Sequence, residues 1–395
     1  MREVTPFPHE LRFDLIIVGG GIAGAALAAA LRDSRYRIAL IEGRAPEPAA
    51  EGWDARIYAL SPASAGFLRD TGAWQHLDAA RLTPVYDMAI HGDGGGRLHF
   101  SAYDSGVDQL AWIAESGLLQ RELWEGIKRQ GNASLFCPAQ PRRLEFRDDA
   151  VLAELTSGQT LEAGLIVGAD GADSWVRGQA GLAADTLDYG EMGVVANFRC
   201  EQPHRHTAFQ WFRPDGVLAY LPLPGDHVSA VWSTPEANAR QLLALDEAAF
   251  SQRIAAAGEF RLGGLQRIGA PAAFPLRLMR LPRIVAPRLA LIGDAAHAIH
   301  PLSGHGINLG LGDARELARV LRELPDYRDC GDERTLRRYA RARAGEVALL
   351  QWVTHGLQRL FRPQQAALST LRNLGLNLTD SLAVVRNRLV RAALG

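Results

Sequence analysis

The chain has 395 residues, 47% hydrophobic and 22% charged, which is enough for a sizeable core and for two domains. Its formal net charge of −1 provides no field that would favour nucleic acid. Three scattered cysteines, Cys137, Cys200 and Cys330, imply neither a disulfide framework nor a metal site, and they fit a reducing compartment.

Met1–Asp14 carries Glu3, Glu10 and two prolines without an apolar core, so it does not read as a secretory signal. Phe13–Val18 is a short run of the kind buried in a parallel sheet. Ile22–Leu31 is alanine-rich and helical, and Arg37–Ile41 is a second strand ending at Glu42. Ser61–Thr71 predicts a helix, Val85–Phe100 strands around the turn Gly92–Gly96, and Leu118–Lys128 another helix. Leu144–Leu161 predicts a hairpin turning at Ser157-Gly158, and Leu165–Val167 a buried strand. Met192–Trp232 breaks into short strands, Ala237–Ala257 reads as one helix, and Leu289–Ile292 is a further buried strand. From Asp313 onward the pattern is helical apart from loops near Pro325 and Pro363.

Strands suited to one parallel sheet are thus far apart in sequence, which predicts insertions between them. The fold class expected is α/β, a Rossmann-like domain with an inserted, mostly antiparallel α+β domain and C-terminal helices. The nucleotide-binding parts would be 1–82, 106–188 and 277–325, the inserted parts 83–105 and 189–276, and the helical region 326–395.

Gly19-Gly20-Gly21-Ile22-Ala23-Gly24 contains G-x-G-x-x-G between a buried strand and a helix. Glu42 follows at about the 20-residue spacing expected of a ribose-binding acid. Gly19 permits the tight turn, Gly21 lets backbone approach a pyrophosphate, and Gly24 lets helix and strand pack closely. This signature alone does not separate FAD from NAD. Gly92–Gly96 lies between strands, so no second fingerprint is present. His204-Arg205-His206 offers two histidines without a third ligand, and no metal site is expected.

Two later segments decide for FAD. One is Leu165-Ile166-Val167-Gly168-Ala169-Asp170-Gly171-Ala172-Asp173. The other runs from Leu289-Ala290-Leu291-Ile292-Gly293-Asp294 through His300-Pro301-Leu302-Ser303-Gly304-His305-Gly306-Ile307-Asn308. With the fingerprint, they resemble the three motifs of the FAD-dependent aromatic hydroxylases related to para-hydroxybenzoate hydroxylase. Met88–Phe100, Phe274-Pro275-Leu276 and the C-terminal Leu371–Leu376 sharpen the resemblance toward the ubiquinone-biosynthesis hydroxylases.

That resemblance implies a flavoprotein monooxygenase using NAD(P)H and O₂ to hydroxylate an aromatic, polyprenylated small molecule. It implies that Asp294 binds the ribityl chain, that Arg56 lies near the FAD phosphates, and that Asp170 helps hold the FAD region. Pro301, Gly304 and Gly306 would shape the loop beside the ring. Backbone N–H groups of Ile307 and Asn308 would meet its N1–C2=O edge, where a helix dipole favours negative charge. His305 stands where the family usually has glutamine; it either hydrogen-bonds near the flavin or fills a solvent-facing turn, and it is the one candidate catalytic side chain. Ser116 stands where relatives carry asparagine or glutamine.

The substrate wall is expected from Met192–Trp232, with core the commoner fate of any one of its aromatics. Arg341–Gly395 is basic, with apolar residues at helical spacing. It predicts either helices packed on the FAD domain or a face for an anionic membrane or a biosynthetic complex. The expected location is cytoplasmic, with peripheral contact at the inner membrane as one option. Competing readings are a monooxygenase for a soluble aromatic, a flavin-containing structural subunit, and a non-oxygenating reductase.

Overall fold

The computed structural model describes residues 11–48, 52–299, 306–361, 373 and 377. Strand β1 (Arg12–Val18) leads through a glycine turn into helix α1 (Ile22–Ala30), and strand β2 (Ile38–Ile41) follows. β1 pairs in parallel with β2 and with the strand Thr160–Gly168, which in turn pairs in parallel with Leu289–Leu291. Ala133–Phe136 extends this sheet beyond β2. Alternation explains why β1 sits at the centre. Leu15 and Ile17 pack into one core with α1 and the helix Gly306–Arg322, while Ile16 and Val18 pack into another. The second core is closed by an antiparallel extension, Pro141–Phe146 and Val151–Leu155. A strand buried on both faces is what the unbroken run Leu15–Val18 requires.

The second sheet has seven strands, ordered Leu265–Arg280, Asp185–Cys200, His227–Pro235, Gly216–Leu223, Thr207–Arg213, Asp87–His91 and Arg97–Ser101. All its pairs are antiparallel except Thr207–Arg213 with Asp87–His91. Its two longest strands, each of 16 residues, carry register shifts between Asp188 and Glu191 and between Val195 and Asn197. Such bulges bend a sheet. The bent strand Leu265–Arg280 brings Pro275, Leu276 and Arg277 to the first sheet's cleft. Ile57–Leu60, Ala111–Glu115 and Thr83–Val85 form a small third sheet, and Asn197 of the large sheet donates at 2.9 Å to the carbonyl of Asp54, in the segment that leads into its first strand.

One expectation needs correction. Ala237–Ala257 is two helices, Glu236–Leu243 and Glu247–Ala257, because the Asp246 side chain accepts from the Ala249 N–H at 2.8 Å and starts a new helix. Phe198, Phe209, Trp211, Phe212, Tyr220 and Trp232 are all buried, and none lines the cleft. Most of them pack into a core with Ala239, Leu242, Phe250 and Ile254 beneath the two helices, the commoner fate expected of any one of them. The long helix Glu333–Phe361 turns polar Gln351, Thr354 and Gln358 inward. Its Leu336 and Tyr339 pack into the core of the first sheet, while Leu349 and Trp352 are 61% and 73% exposed, so the helix has features of both options.

Candidate active site

The cleft opens at the carboxyl ends of β1, β2, Thr160–Gly168 and Leu289–Leu291, where ligands of open α/β sheets bind. Its volume is about 990 Å³, at the upper end for a small-molecule site. Motifs separated by more than 270 residues of chain meet there because their strands are neighbours in one sheet.

The first wall is the turn from β1 into α1. Gly19 has φ +105°, and a Cβ there would lie 2.3 Å from the Ala169 carbonyl oxygen. A Cβ on Gly24 would lie 2.0 Å from the Gly19 carbonyl oxygen, so that glycine allows the turn and helix to meet. Gly21 differs: it has φ −64°, it caps α1, and nothing lies within 4 Å of where its Cβ would stand. No side chain caps α1. Its first N–H groups and its dipole therefore face open cleft, an anion-binding arrangement with room for a pyrophosphate. Glu42, at the end of β2, accepts from the Gly20 N–H at 2.6 Å and from the Arg44 N–H at 3.1 Å, and it lines the cleft beside Gly43.

The second wall is Ala169–Asp173. Asp170 lines the cleft, but its carboxylate is used within its own loop, accepting from the Ser174 hydroxyl at 2.5 Å and the Val176 N–H at 3.0 Å. It shapes this wall by holding the loop over the next helix. The third wall is the turn Gly293–Ala295 with the start of Gly306–Arg322. Asp294 is exposed to the open cleft, and the protein packed around its base raises its carboxyl pKa above the usual range against the pull of His297, Arg56 and Arg277. Gly306 and Ile307 line the cleft at the positive end of their helix. Asn308 is not a lining residue. Its side chain clasps the Ile57–Leu60 strand, accepting from the Ser61 N–H at 2.9 Å and donating to the Ala59 carbonyl at 2.8 Å. Arg56 stands exposed at the rim, its guanidinium 4.6 Å from the centre of the Phe274 ring. Pro301, Gly304 and His305 lie outside the described residues.

Several contributors were not read from sequence. Gln120 and Trp124, one turn apart on the helix Ser116–Arg129, both donate to the Gly20 carbonyl, at 2.9 and 2.7 Å. Their four-residue spacing marked one helix face, but not which loop it meets. Tyr58 also lines the cleft, beside Ser116. Burial raises the Tyr58 phenol pKa, outweighing the Ser116 hydroxyl and the Arg56 charge, so this wall presents a protonated phenol. Asp313 directly follows the apolar run Leu309–Gly312 and is fully buried, and a carboxylate in such a place is a signal of a buried partner. That partner is His297, with Arg343 on its other side. Among the described residues no group of acids, histidines and cysteines could hold a metal ion.

An extended dinucleotide matches these walls. The α1 turn would hold its pyrophosphate, Glu42 its adenosine ribose, Asp294 its ribityl chain, and the Gly306–Ile307 helix start its flavin ring. The comparisons support FAD as the cofactor. A family model described as FAD binding domain matches residues 12–350. The ubiquinone hydroxylase UbiL of Rhodospirillum rubrum is 34% identical over 97% of this chain and 89% of its own length. The 3-demethoxyubiquinol 3-hydroxylase of Escherichia coli is 33% identical, over 97% and 98%. Among solved structures, p-nitrophenol 4-monooxygenase PnpA of Pseudomonas putida superposes with a TM-score of 0.78 at 18% identity, covering 97% of this chain and 98% of that one. The chain belongs to this FAD-binding family, and it is a flavoprotein monooxygenase.

Proposed function

We propose that the protein hydroxylates the aromatic ring of a polyprenylated phenol in ubiquinone formation, with NAD(P)H and O₂ as cosubstrates, while resting on an anionic membrane surface. The observation that carries the substrate class is the near full-length relation to two ubiquinone-pathway hydroxylases, which spans the second sheet as well as the nucleotide cleft.

FAD supplies the hydride and oxygen chemistry when bound. The chain's own work is to bind, orient and exclude water. The α1 N-terminus takes the negative phosphates, and Asp294 in the cleft lining takes the ribityl chain. The start of Gly306–Arg322 provides the positive end of a helix dipole where the reduced cofactor gathers negative charge. Pro275 and Leu276, delivered by the bent strand, offer an apolar wall for a phenol, and Tyr58 a hydrogen-bond donor.

The membrane reading rests on the outward face of Glu333–Phe361. Leu349, Trp352 and Leu360 are exposed there, together with Arg341 and Arg359 at compatible helical spacing. Each arginine near an anionic bilayer contributes about 1 kcal/mol. No described helix is long and apolar enough to cross a membrane, so the contact proposed is peripheral.

The test is NAD(P)H-dependent turnover of a short-chain prenylated phenol, with isotopic oxygen traced by mass spectrometry, in solution and with phosphatidylglycerol vesicles. Ring incorporation of one atom from O₂, enhanced by vesicles, is the expected result. Turnover of only unprenylated phenols, indifferent to vesicles, would move the reading to a soluble substrate. No NAD(P)H oxidation with any phenol would indicate a structural subunit.

A further inference from the structure

Behind the Asp294 turn lies a charged cluster that cofactor contact alone does not explain. Asp313 and His297 are both buried. Asp313 Oδ2 accepts from His297 Nε2 at 2.7 Å and from the Gly293 N–H at 2.9 Å, and its Oδ1 accepts from Arg343 Nε at 2.7 Å. Arg343 also donates to the Leu309 carbonyl at 3.2 Å and pairs with Glu346. Burying this many charges costs several kcal/mol each before their attraction is counted, and apolar residues would stabilise the fold at least as well.

The orientation of the cluster points to its use. Of Asp313, His297 and Arg343, only His297 lines the cleft, so the imidazole is in front and the carboxylate behind. The charged groups facing His297 are Asp313 from Gly306–Arg322, Arg343 from Glu333–Phe361, and Asp294 on its own turn. Arg56 and Arg277 reach Asp294 from the far side of the cleft. Burial works to lower the His297 pKa, but the charge and hydrogen bond of Asp313 outweigh it, and the net shift is upward from 6.5. The pairing with Asp313 therefore favours the imidazolium, which is lost only as pH rises through a value above 6.5.

We propose that Asp313 holds His297 as an imidazolium whose positive pole faces the cleft, and that this pair, a positioning element, sets how strongly the site prefers flavin in its reduced, negatively charged form. The proposal rests on FAD binding and not on the identity of the substrate.

The test uses purified holoenzyme and reads FAD content and flavin midpoint potential, the latter by spectroscopic titration against a reference dye. His297→Gln keeps an N–H for Asp313 but removes the charge. It should retain FAD while the ratio of affinities for reduced and oxidised FAD falls by roughly three- to tenfold, a more negative potential. Asp313→Asn should move the potential in the same direction. An unchanged potential with full FAD content in either variant overturns the proposal. Should both variants lose FAD, nitrogen-15 spectra of the wild-type holoenzyme near neutral pH decide. Two protonated ring nitrogens at residue 297 support the proposal, and a neutral imidazole refutes it. Wild-type protein that takes up no FAD would instead undo the cofactor assignment.

Discussion

The two large sheets divide the work differently. The eight-stranded sheet places its chemistry in short loops at strand ends, so a few consecutive residues make each wall of the cleft. The seven-stranded sheet is nearly all packing: the aromatics of its middle strands are buried, and it reaches the cleft only where one long strand bends. Damage to the first should remove the cofactor from a folded or locally disturbed protein. Damage to the second should remove stability and leave the nucleotide signature intact until the fold fails.

The largest effect expected is at Gly24. Gly24→Ala puts a Cβ 2.0 Å from the Gly19 carbonyl oxygen, which displaces α1 from the turn, and the purified protein should carry no flavin. Full flavin absorbance in that variant would mean that the turn is not the nucleotide anchor. Next comes Trp232→Ala, which empties a fully buried site in the second sheet and should cost about 3–5 kcal/mol in chemical denaturation. The comparison breaks if this variant loses FAD at temperatures where it is still folded.

The contrast also explains what was legible in sequence. β1, α1, β2 and the Gly293–Asp294 turn announce themselves because a buried strand followed by glycines and a carboxylate has few other structural uses. The break at Asp246 was hidden by an alanine-rich stretch that is helical on both sides, and only the Asp246 side chain marks it. The fate of Trp211 and Trp232 was undecided because alternation names two faces without saying which one helices cover. Asp170 and Asn308 were placed by motif, but the partners of their side chains, Ser174 and Val176 for one and Ala59 and Ser61 for the other, were not. Such partners depend on which loops tertiary structure brings near, and local spacing does not encode that.

A smaller effect tests charge at the cleft. The Asp294 carboxyl is held above its ordinary value of 3.8, first by burial, so its protonated form suits the apo fold. That contribution is complete below about pH 3.8 and fades as pH rises through the folded value. Asp294→Asn should therefore raise the apo protein's Tm at neutral pH while weakening FAD binding. An unchanged or lower Tm would mean that the carboxylate is not destabilising there. The smallest effect on the fold belongs to Trp352→Glu on the outward helix face. Unfolding free energy should stay within about 0.5 kcal/mol, as for other surface changes. Co-sedimentation with phosphatidylglycerol vesicles should drop, and undiminished vesicle binding would remove this face from the membrane reading.

The most direct measurement is the FAD stoichiometry of Gly21→Val beside its melting curve. Backbone at Gly21 suits any L-residue, and the added side chain would project into open cleft. Occupation of that space alone should leave Tm near wild type and yield colourless protein that takes up no added FAD. Stoichiometric flavin in a normally folded Gly21→Val protein would contradict the placement of the pyrophosphate and, with it, the path assigned to the cofactor.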